Sequence, residues 1–145
     1  MIVTRLEPKH LWEVAALEQA VFTNPWSERS LELLCGDTAL GFAAIDGDTV
    51  TAYGGMLTVL DEGQITNIAT HPDHRRQGLA AKVLAALLEE ARARGIVSVT
   101  LEVRASNEAA ISLYQKFDFS VVGKRVRFYT QPTEDALIMQ CTLTS

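Results

Sequence analysis

The chain has 145 residues and a formal net charge of −5, with 48% hydrophobic and 21% charged residues. This length and composition are typical of one globular domain, which we expect to span residues 1–145. The acidic balance argues against a broad nucleic-acid interface, no apolar run reaches the ~18 residues of a membrane span, and the N-terminus lacks the basic start of a signal peptide. We therefore expect a cytoplasmic protein with no direct nucleic-acid or membrane partner.

The first half of the chain predicts a strand, two helices and three further strands. Residues 1–6 are typical of a short edge strand, a helical apolar period covers roughly 8–22, and a second helix begins at Ser27 and ends at Gly36. Compact Asp- and Gly-containing turns then separate three strand-like runs, which predict an antiparallel meander: "LGFAAI", "VTAYGGMLTVL" and "QITNIAT".

The second half predicts a helix over 76–94 that stops at Gly95, a strictly alternating strand over 97–103 and a short helix over 107–117. Two strands, "FSVVGKRVRFY" and "ALIMQCTL", end the chain. A strand–helix–strand crossover through 76–94 requires parallel neighbours. We therefore predict an α/β (α+β) fold with a mixed, mostly antiparallel central sheet flanked by helices.

The cysteines and histidines predict neither disulfides nor a metal site. Cys35 and Cys141 lie far apart in the sequence, and we expect both to be buried, reduced and inert. Three histidines are too few and too scattered for a convincing metal site. The run His71-Pro72-Asp73-His74 is typical of a turn.

The helix start at 75–80 combines positive charge with a small residue. The first amides of a helix have no internal partner and carry partial positive charge. Gly78 would let backbone approach a ligand, and Arg75 and Arg76 add charge, so a phosphate or pyrophosphate is the natural guest. The alternative is a basic helix start with a glycine needed only for the turn. Neither the nucleotide P-loop motif nor the dinucleotide Gly-x-Gly-x-x-Gly motif is present.

This run, Arg75-x-x-Gly78-x-Ala80 entered from "ITNIAT", resembles the coenzyme A pyrophosphate signature of the GNAT acetyltransferases. The resemblance implies a single GNAT-like domain over 1–145 that uses acetyl-CoA, without a metal. It implies that acetyl-CoA binds at a splayed strand and a helix N-terminus. The cofactor-binding residues that it implies are Ile68, Ala69, Thr70, Arg75, Arg76, Gln77, Gly78, Leu79, Ala80, Ala81 and Asn107.

Three further segments, "NPWSERSL", "LEVRASNEAAISLYQKFDF" and "EDALIM", resemble the RimI-type enzymes. Those enzymes acetylate the N-terminal alanine of the eighteenth protein of the small ribosomal subunit. The resemblance implies that Glu102 is the general base and Tyr114 the general acid. The residues alone leave other interpretations open: Glu102 as a surface glutamate on a half-exposed strand, Tyr114 as a core tyrosine and Asn107 as a helix N-cap.

The acceptor is expected between the loop at 22–27 and the segment at 125–135. Trp26 and Tyr129 are the expected walls, and Glu134 and Asp135 would receive a basic N-terminal peptide of the ribosomal protein. Trp26 could instead be a core anchor, and the acidic pair an ordinary turn.

The match to the RimI type loosens in this acceptor region. The subgroup tends to have a paired tyrosine followed closely by proline, and an aromatic-Pro-Trp run. This chain has Phe128-Tyr129-Thr130-Gln131-Pro132 and Phe22-Thr23-Asn24-Pro25. Other acceptors, such as a protein lysine, another N-terminus or a polyamine, therefore stay open. A non-catalytic acyl-CoA sensor also stays open, although it would need neither Glu102 nor Tyr114.

Overall fold

A computed structural model describes residues 1–22 and 25–143. Within them, seven strands are β1 (Ile2–Arg5), β2 (Ala39–Asp46), β3 (Thr49–Val59), β4 (Glu62–Thr70), β5 (Ser98–Arg104), β6 (Ser120–Tyr129) and β7 (Glu134–Thr142). The α-helices are α1 (Leu11–Val21), α2 (Glu28–Leu31), α3 (Leu79–Ala93) and α4 (Glu108–Lys116). Short 3₁₀ turns cover Pro8–His10, Glu32–Cys35 and Pro72–His74, the last confirming the predicted turn.

All seven strands form one sheet in the order β1-β2-β3-β4-β5-β7-β6. Every neighbouring pair is antiparallel except β4 and β5, which α3 connects as a crossover. This confirms the predicted mixed, mostly antiparallel sheet. No helix in the described ranges is both long enough and apolar enough to cross a membrane.

The two faces of the sheet carry separate cores. Successive residues of β2 divide between them, because side chains alternate along a strand. On one face, α3 buries the apolar residues Leu79, Val83, Leu84, Leu87, Leu88 and Ala91. The other face is covered by α1 and α2, which bury Leu11, Val14, Leu17 and Leu31. The helical apolar periods seen in the sequence thus define the two layers around the sheet.

Several predicted element boundaries are wrong by a few residues. The second helix, expected over 27–36, is α-helical only over Glu28–Leu31 and then tightens into a 3₁₀ turn. The helix expected from 76 begins at Leu79, because Arg76 and Gly78 have φ values of 66° and 72°. Those left-handed conformations cannot belong to a right-handed helix.

Two other predictions also need correction, one on the extent of a strand and one on the burial of a cysteine. Val97 lies outside β5 and is 45% exposed, so it does not join the buried face of Val99, Leu101 and Val103. Of the two cysteines, both free, Cys141 is buried and Cys35 only partly so. Burial raises the pKa of Cys141 to about 11, which suits an inert thiol.

The strands β4 and β5 part soon after they begin to pair. Their register contains only Glu62–Ser98, Gly63–Val99 and Gln64–Thr100. The pairing of β4 with β3 shifts between Gly55 and Met56, which leaves Thr66 as an extra residue in β4. A bulge of this kind bends a strand and increases its twist. The splay that the resemblance implied is therefore present, and it opens the middle of the sheet.

Candidate active site

A cavity of about 690 Å³ occupies the opening between β4 and β5. Its wall comes from the end of α1, from both parted strands, from α4 and from the β6–β7 hairpin. The predicted site residues that line it are Ile68, Arg75, Glu102, Asn107, Tyr114 and Tyr129. The opening in the sheet thus brings together residues that are distant in the sequence, some predicted to bind acetyl-CoA and others predicted to act on or bind the acceptor.

The start of α3 has the geometry of an anion site. Lys82 donates the first backbone hydrogen bond of the helix to Gly78 O at 3.1 Å, so the amides of Leu79, Ala80 and Ala81 have no partner within the helix. A Cβ placed on Gly78 would meet no heavy atom within 4 Å, which leaves room for a ligand. The side chains of Arg75, Arg76 and Gln77 are exposed around it. These residues fit a diphosphate.

Three more of the predicted cofactor-binding residues, Ile68, Ala69 and Thr70, lie on β4. Ile68 lines the cavity and Thr70 is half-buried, whereas Ala69 is 3% exposed and packs in the core under α1. All three pair with β3 on one side, at Gly54, Tyr53 and Ala52. Since pairing with β5 ended at Gln64, the other edge of this stretch faces the opening.

Glu102 lies on β5, opposite the face that buries Leu101 and Val103. Its side chain is 18% exposed, and its Oε2 is 3.6 Å from Arg125 Nε. That distance is too long for a hydrogen bond, and Oε2 has no hydrogen-bond partner in the described chain. The carboxylate is thus in an ion pair with Arg125, but its Oε2 accepts no hydrogen bond and is available to accept a proton in the cavity.

Tyr114 projects from α4 and is 8% exposed. Burial, with a smaller contribution from Tyr129, raises its pKa to about 12. It therefore keeps its proton at neutral pH and can only donate or share it. Asn107 begins the same helix and its side chain accepts a hydrogen bond from Ala110 N at 3.2 Å, which confirms the predicted N-cap.

Arg104, at the end of β5, fixes the hairpin that closes the cavity. Its Nη1 donates to Pro132 O at 3.0 Å and its Nη2 to Thr130 O at 3.2 Å. The guanidinium carbon lies 4.4 Å from the ring centre of Tyr129, within cation–π range. Sequence reasoning missed Arg104, although a planar five-donor group at a strand end is a signal for such a role.

The other predicted acceptor residues do not line the cavity. Glu134 Oε2 accepts from Ser106 N at 2.6 Å and its Oε1 is 3.4 Å from Arg104 Nη1. Hydrogen bonds from Ser106, then from Arg104, hold the pKa of Glu134 below its usual value. Asp135 Oδ1 accepts from Arg127 N at 2.9 Å, so both carboxylates support the hairpin and its junction with α4.

The loop after α1 is described only in part. Thr23 and Asn24, which were considered in the acceptor region, lie outside the described residues. Trp26 is half-buried against the core under α1 and α2. It is not among the cavity-lining residues, whereas Phe22 is. The roles assigned to Trp26, Tyr129, Glu134 and Asp135 in binding an acceptor stay predictions.

A buried carboxylate behind the cavity was missed by sequence reasoning. Glu18 of α1 is 0% exposed. Its Oε1 accepts from Trp26 N at 2.7 Å, and its Oε2 accepts from Tyr53 Oη and from Asn67 Nδ2, the latter at 2.9 Å. The signal was available, because Glu18 lies four residues after Val14 and seven after Leu11, on the apolar face of the helix.

Comparison with known proteins places this geometry in context. The model of the Acetyltransferase (GNAT) family matches residues 11–119. The [Ribosomal protein bS18]-alanine N-acetyltransferase of Escherichia coli strain K12 is 37% identical over 139 residues, covering 94% of each chain. The crystal structure of the ribosomal-protein-S18-alanine N-acetyltransferase from Escherichia coli superposes with a TM-score of 0.92 at 36% identity, covering 99% of this chain and 94% of that one.

A more distant structure shares the fold. An aminoglycoside 6′-N-acetyltransferase complexed with coenzyme A matches with a TM-score of 0.87 at 13% identity, covering 100% of this chain and 98% of that one. At that identity the likeness concerns the fold alone.

Proposed function

We propose that this chain, which belongs to the GNAT family of acetyltransferases, transfers the acetyl group of acetyl-CoA to the N-terminal alanine α-amine of ribosomal protein bS18. The relative with that printed activity covers 94% of the chain. The observation that carries the proposal is one cavity, at the parting of β4 and β5, with Glu102 and Tyr114 both in its wall.

The residues for the acetyl donor are those of the helix start and the parted strand. Residues 75–81 would bind the diphosphate of acetyl-CoA, and the β4 edge over 68–70 would pair with its pantetheine arm, with a polar contact from Asn107. Acetyl-CoA supplies the reactive thioester when bound. The open space at Gly78 and the cavity beside Ile68 and Asn107 support this placement.

Glu102 would act as the general base. The ammonium form of the acceptor first loses one proton to solvent, because only the neutral amine can attack. The free Oε2 of Glu102 then takes a second proton from the amine nitrogen as it adds to the thioester, directly or through a water. An α-amine titrates near ~7.7–8.0 and a lysine amine near ~10.4, so deprotonating lysine costs about 3.4 kcal/mol more. An N-terminal amine is therefore the easier acceptor for a single carboxylate.

Tyr114 would act as the general acid. A new N–C bond forms as the C–S bond breaks, and the departing thiolate must receive a hydrogen bond and then a proton. The pKa of about 12 keeps Tyr114 protonated at neutral pH, so the phenol donates to the thiolate. The amine's proton thus leaves on Glu102 while the thiolate takes the proton of Tyr114, and the phenolate then regains one from solvent.

The acceptor peptide would enter beside the β6–β7 hairpin, with Tyr129 and Trp26 as walls and Glu134 and Asp135 attracting its basic residues. Tyr129 lines the cavity, which supports its part. We infer that residues 1–145 act as one domain in the cytoplasm, with no direct contact to nucleic acid or membrane. The GNAT membership favours an enzyme over an acyl-CoA sensor.

Mass spectrometry tests the proposal. The wild type and Glu102→Gln are incubated with acetyl-CoA and a basic peptide that begins with alanine, copied from bS18 of the same organism. We expect acetylation of the α-amine, slowed about 10²–10⁴-fold in the variant, since that is the usual contribution of a general base. Calorimetry should show equal acetyl-CoA affinity for both proteins.

Three outcomes would count against it. Fragmentation that places the acetyl group on a lysine side chain would move the function to another amine. Equal rates for the two proteins would remove Glu102 from its role. A wild type that binds acetyl-CoA without modifying the peptide, a lysine peptide or a polyamine would contradict an enzymatic function.

A further inference from the structure

Unpaired polar atoms are concentrated in the wall of the cavity. Among the described residues, five buried side-chain nitrogen or oxygen atoms lack a hydrogen-bond partner. Three of them belong to cavity-lining residues: Thr66 Oγ1, Asn67 Oδ1 and Glu102 Oε2. Buried polar atoms in folded proteins nearly always have a partner in the protein, in ordered water or in a ligand, so three such atoms in one cavity wall are candidates for contact with a bound substrate.

The orientation of Asn67 is fixed by Glu18. A carboxylate only accepts hydrogen bonds, and Glu18 Oε2 lies 2.9 Å from the side-chain nitrogen of Asn67. The amide nitrogen must therefore face Glu18, which leaves the carbonyl oxygen Oδ1 as a free acceptor. Glu18 in turn is held by Tyr53 Oη and by Trp26 N, so the whole arrangement is anchored in the core.

Asn67 and Glu102 each have an unpaired acceptor atom, and the two residues lie on opposite sides of the opening. Asn67 lies on β4 just after the bulge, and Glu102 lies on β5 beyond the last β4–β5 pair. Both unpaired atoms are acceptors, so a single group that completes both must carry at least two donors. The thioester has none and the amide N–H groups of the pantetheine arm are assigned to the edge of β4, whereas a primary ammonium group has three N–H donors.

We propose that Asn67 Oδ1 binds one N–H of the acceptor's amine while Glu102 takes the proton from another, with Glu18 as the positioning residue for Asn67. This deepens the proposed function and rests on it. It makes Asn67 a specificity-determining residue, because the site then selects an acceptor with a free primary amine. A site built to hydrogen-bond a substrate N–H rejects an analogue that lacks it, since its own buried acceptor is left unpaired.

The test compares Asn67→Leu with Tyr53→Phe. Leucine has a similar volume and no polar atom, so it removes the acceptor from the cavity. Tyr53 is fully buried, does not line the cavity and donates to the same oxygen of Glu18, so Tyr53→Phe weakens the network without touching the amine site. For each protein, calorimetry gives the Kd for acetyl-CoA and steady-state assays give KM and kcat for the alanine peptide.

We expect Asn67→Leu to raise the peptide KM about tenfold or more, which corresponds to one hydrogen bond to a charged group. Its acetyl-CoA Kd should stay within about twofold, a difference of less than 0.5 kcal/mol. Tyr53→Phe should lower Tm and raise KM less than Asn67→Leu does, because Glu18 keeps its hydrogen bonds with Asn67 and Trp26. An unchanged KM in Asn67→Leu would overturn the inference. So would an equal rise in Tyr53→Phe, since Asn67 would then act only through the packing of the network.

Two further measurements keep the inference separable from the proposed function. If wild type acetylates a lysine peptide in place of the alanine peptide, the same comparison is made with that acceptor. Peptide binding measured by calorimetry in the presence of coenzyme A tests the role of Asn67 without turnover. Should Asn67→Leu not fold, judged by circular dichroism and the loss of a thermal unfolding transition, Asn67→Ser replaces it, and the same rise in KM is expected because its shorter hydroxyl falls short of the amine.

Discussion

Replacing Gly78 with alanine tests whether this position needs glycine only for its backbone conformation or also to leave space for a ligand. Gly78 lies at the start of α3 with φ 72°, and Gly95 follows its end with φ 83°. A Cβ at either position would meet no heavy atom of the protein within 4 Å. The two glycines are therefore matched in conformation and surroundings, and only Gly78 adjoins the proposed diphosphate site.

Both substitutions should destabilise the fold to the same extent. A non-glycine residue in the left-handed region costs about 1–2 kcal/mol. For a chain of 145 residues this corresponds to a fall in Tm of roughly 3–8 °C. Urea denaturation and thermal melts of Gly78→Ala and Gly95→Ala should give similar losses, with no change in the slope of the unfolding free energy against denaturant.

Binding of acetyl-CoA should distinguish the two variants. A methyl group at Gly78 holds a diphosphate away from the amides of the helix start. Each lost hydrogen bond to a charged group costs about 1.5–3 kcal/mol, so the affinity should fall between about tenfold and 150-fold. Gly95→Ala should bind as the wild type does. Calorimetry that found the same Kd for both variants would refute the assignment of the helix start to the diphosphate.

Two further predictions concern the hairpin and the general acid. Arg104→Lys should raise the peptide KM about 3–10-fold and leave the acetyl-CoA Kd unchanged. Lysine cannot bridge the carbonyls of Thr130 and Pro132 as the planar guanidinium does. A KM equal to the wild-type value in steady-state assays would show that this hairpin does not contact the acceptor. Tyr114 has a folded-state pKa of about 12 against ~10 when unfolded, so its neutral form contributes stability that is present below pH ~10 and lost as pH rises towards 12. Urea denaturation from pH 9 to 12 should show a shallower loss of stability in Tyr114→Phe than in the wild type, and parallel curves would contradict the raised pKa.

The order of elements and the apolar faces of individual helices and strands could be predicted because they depend on local periodicity. The apolar residues of α3 and the alternation in β5 are visible in any window of ten residues. The start of α3 was placed too early because charge and small size at 76–78 do not reveal backbone conformation. Only the left-handed φ values of Arg76 and Gly78 show that the helix begins at Leu79.

Features that depend on contacts between distant segments could not be predicted in the same way. The opening of the sheet follows from one extra residue, Thr66, and from a parallel register that ends at Gln64, neither of which leaves a mark in composition. Glu18 lies 49 residues before Asn67, and Arg104 lies 26 to 28 residues before the carbonyls that it binds. Sequence motifs identified Glu102 and Tyr114, which both line the cavity, but the contacts of Glu18 and Arg104 became visible only in three dimensions.

The parting of β4 and β5 gives the sheet two inner edges in addition to its outer edges at β1 and β6. An open strand edge is ordinarily a hazard, because any extended chain can add to it and seed aggregation. Here both inner edges face each other across a cavity bounded by α4 and the β6–β7 hairpin, which an additional protein strand would have to displace. The fold thus keeps backbone groups available for recognition inside the molecule while hindering the addition of a further β-strand to them.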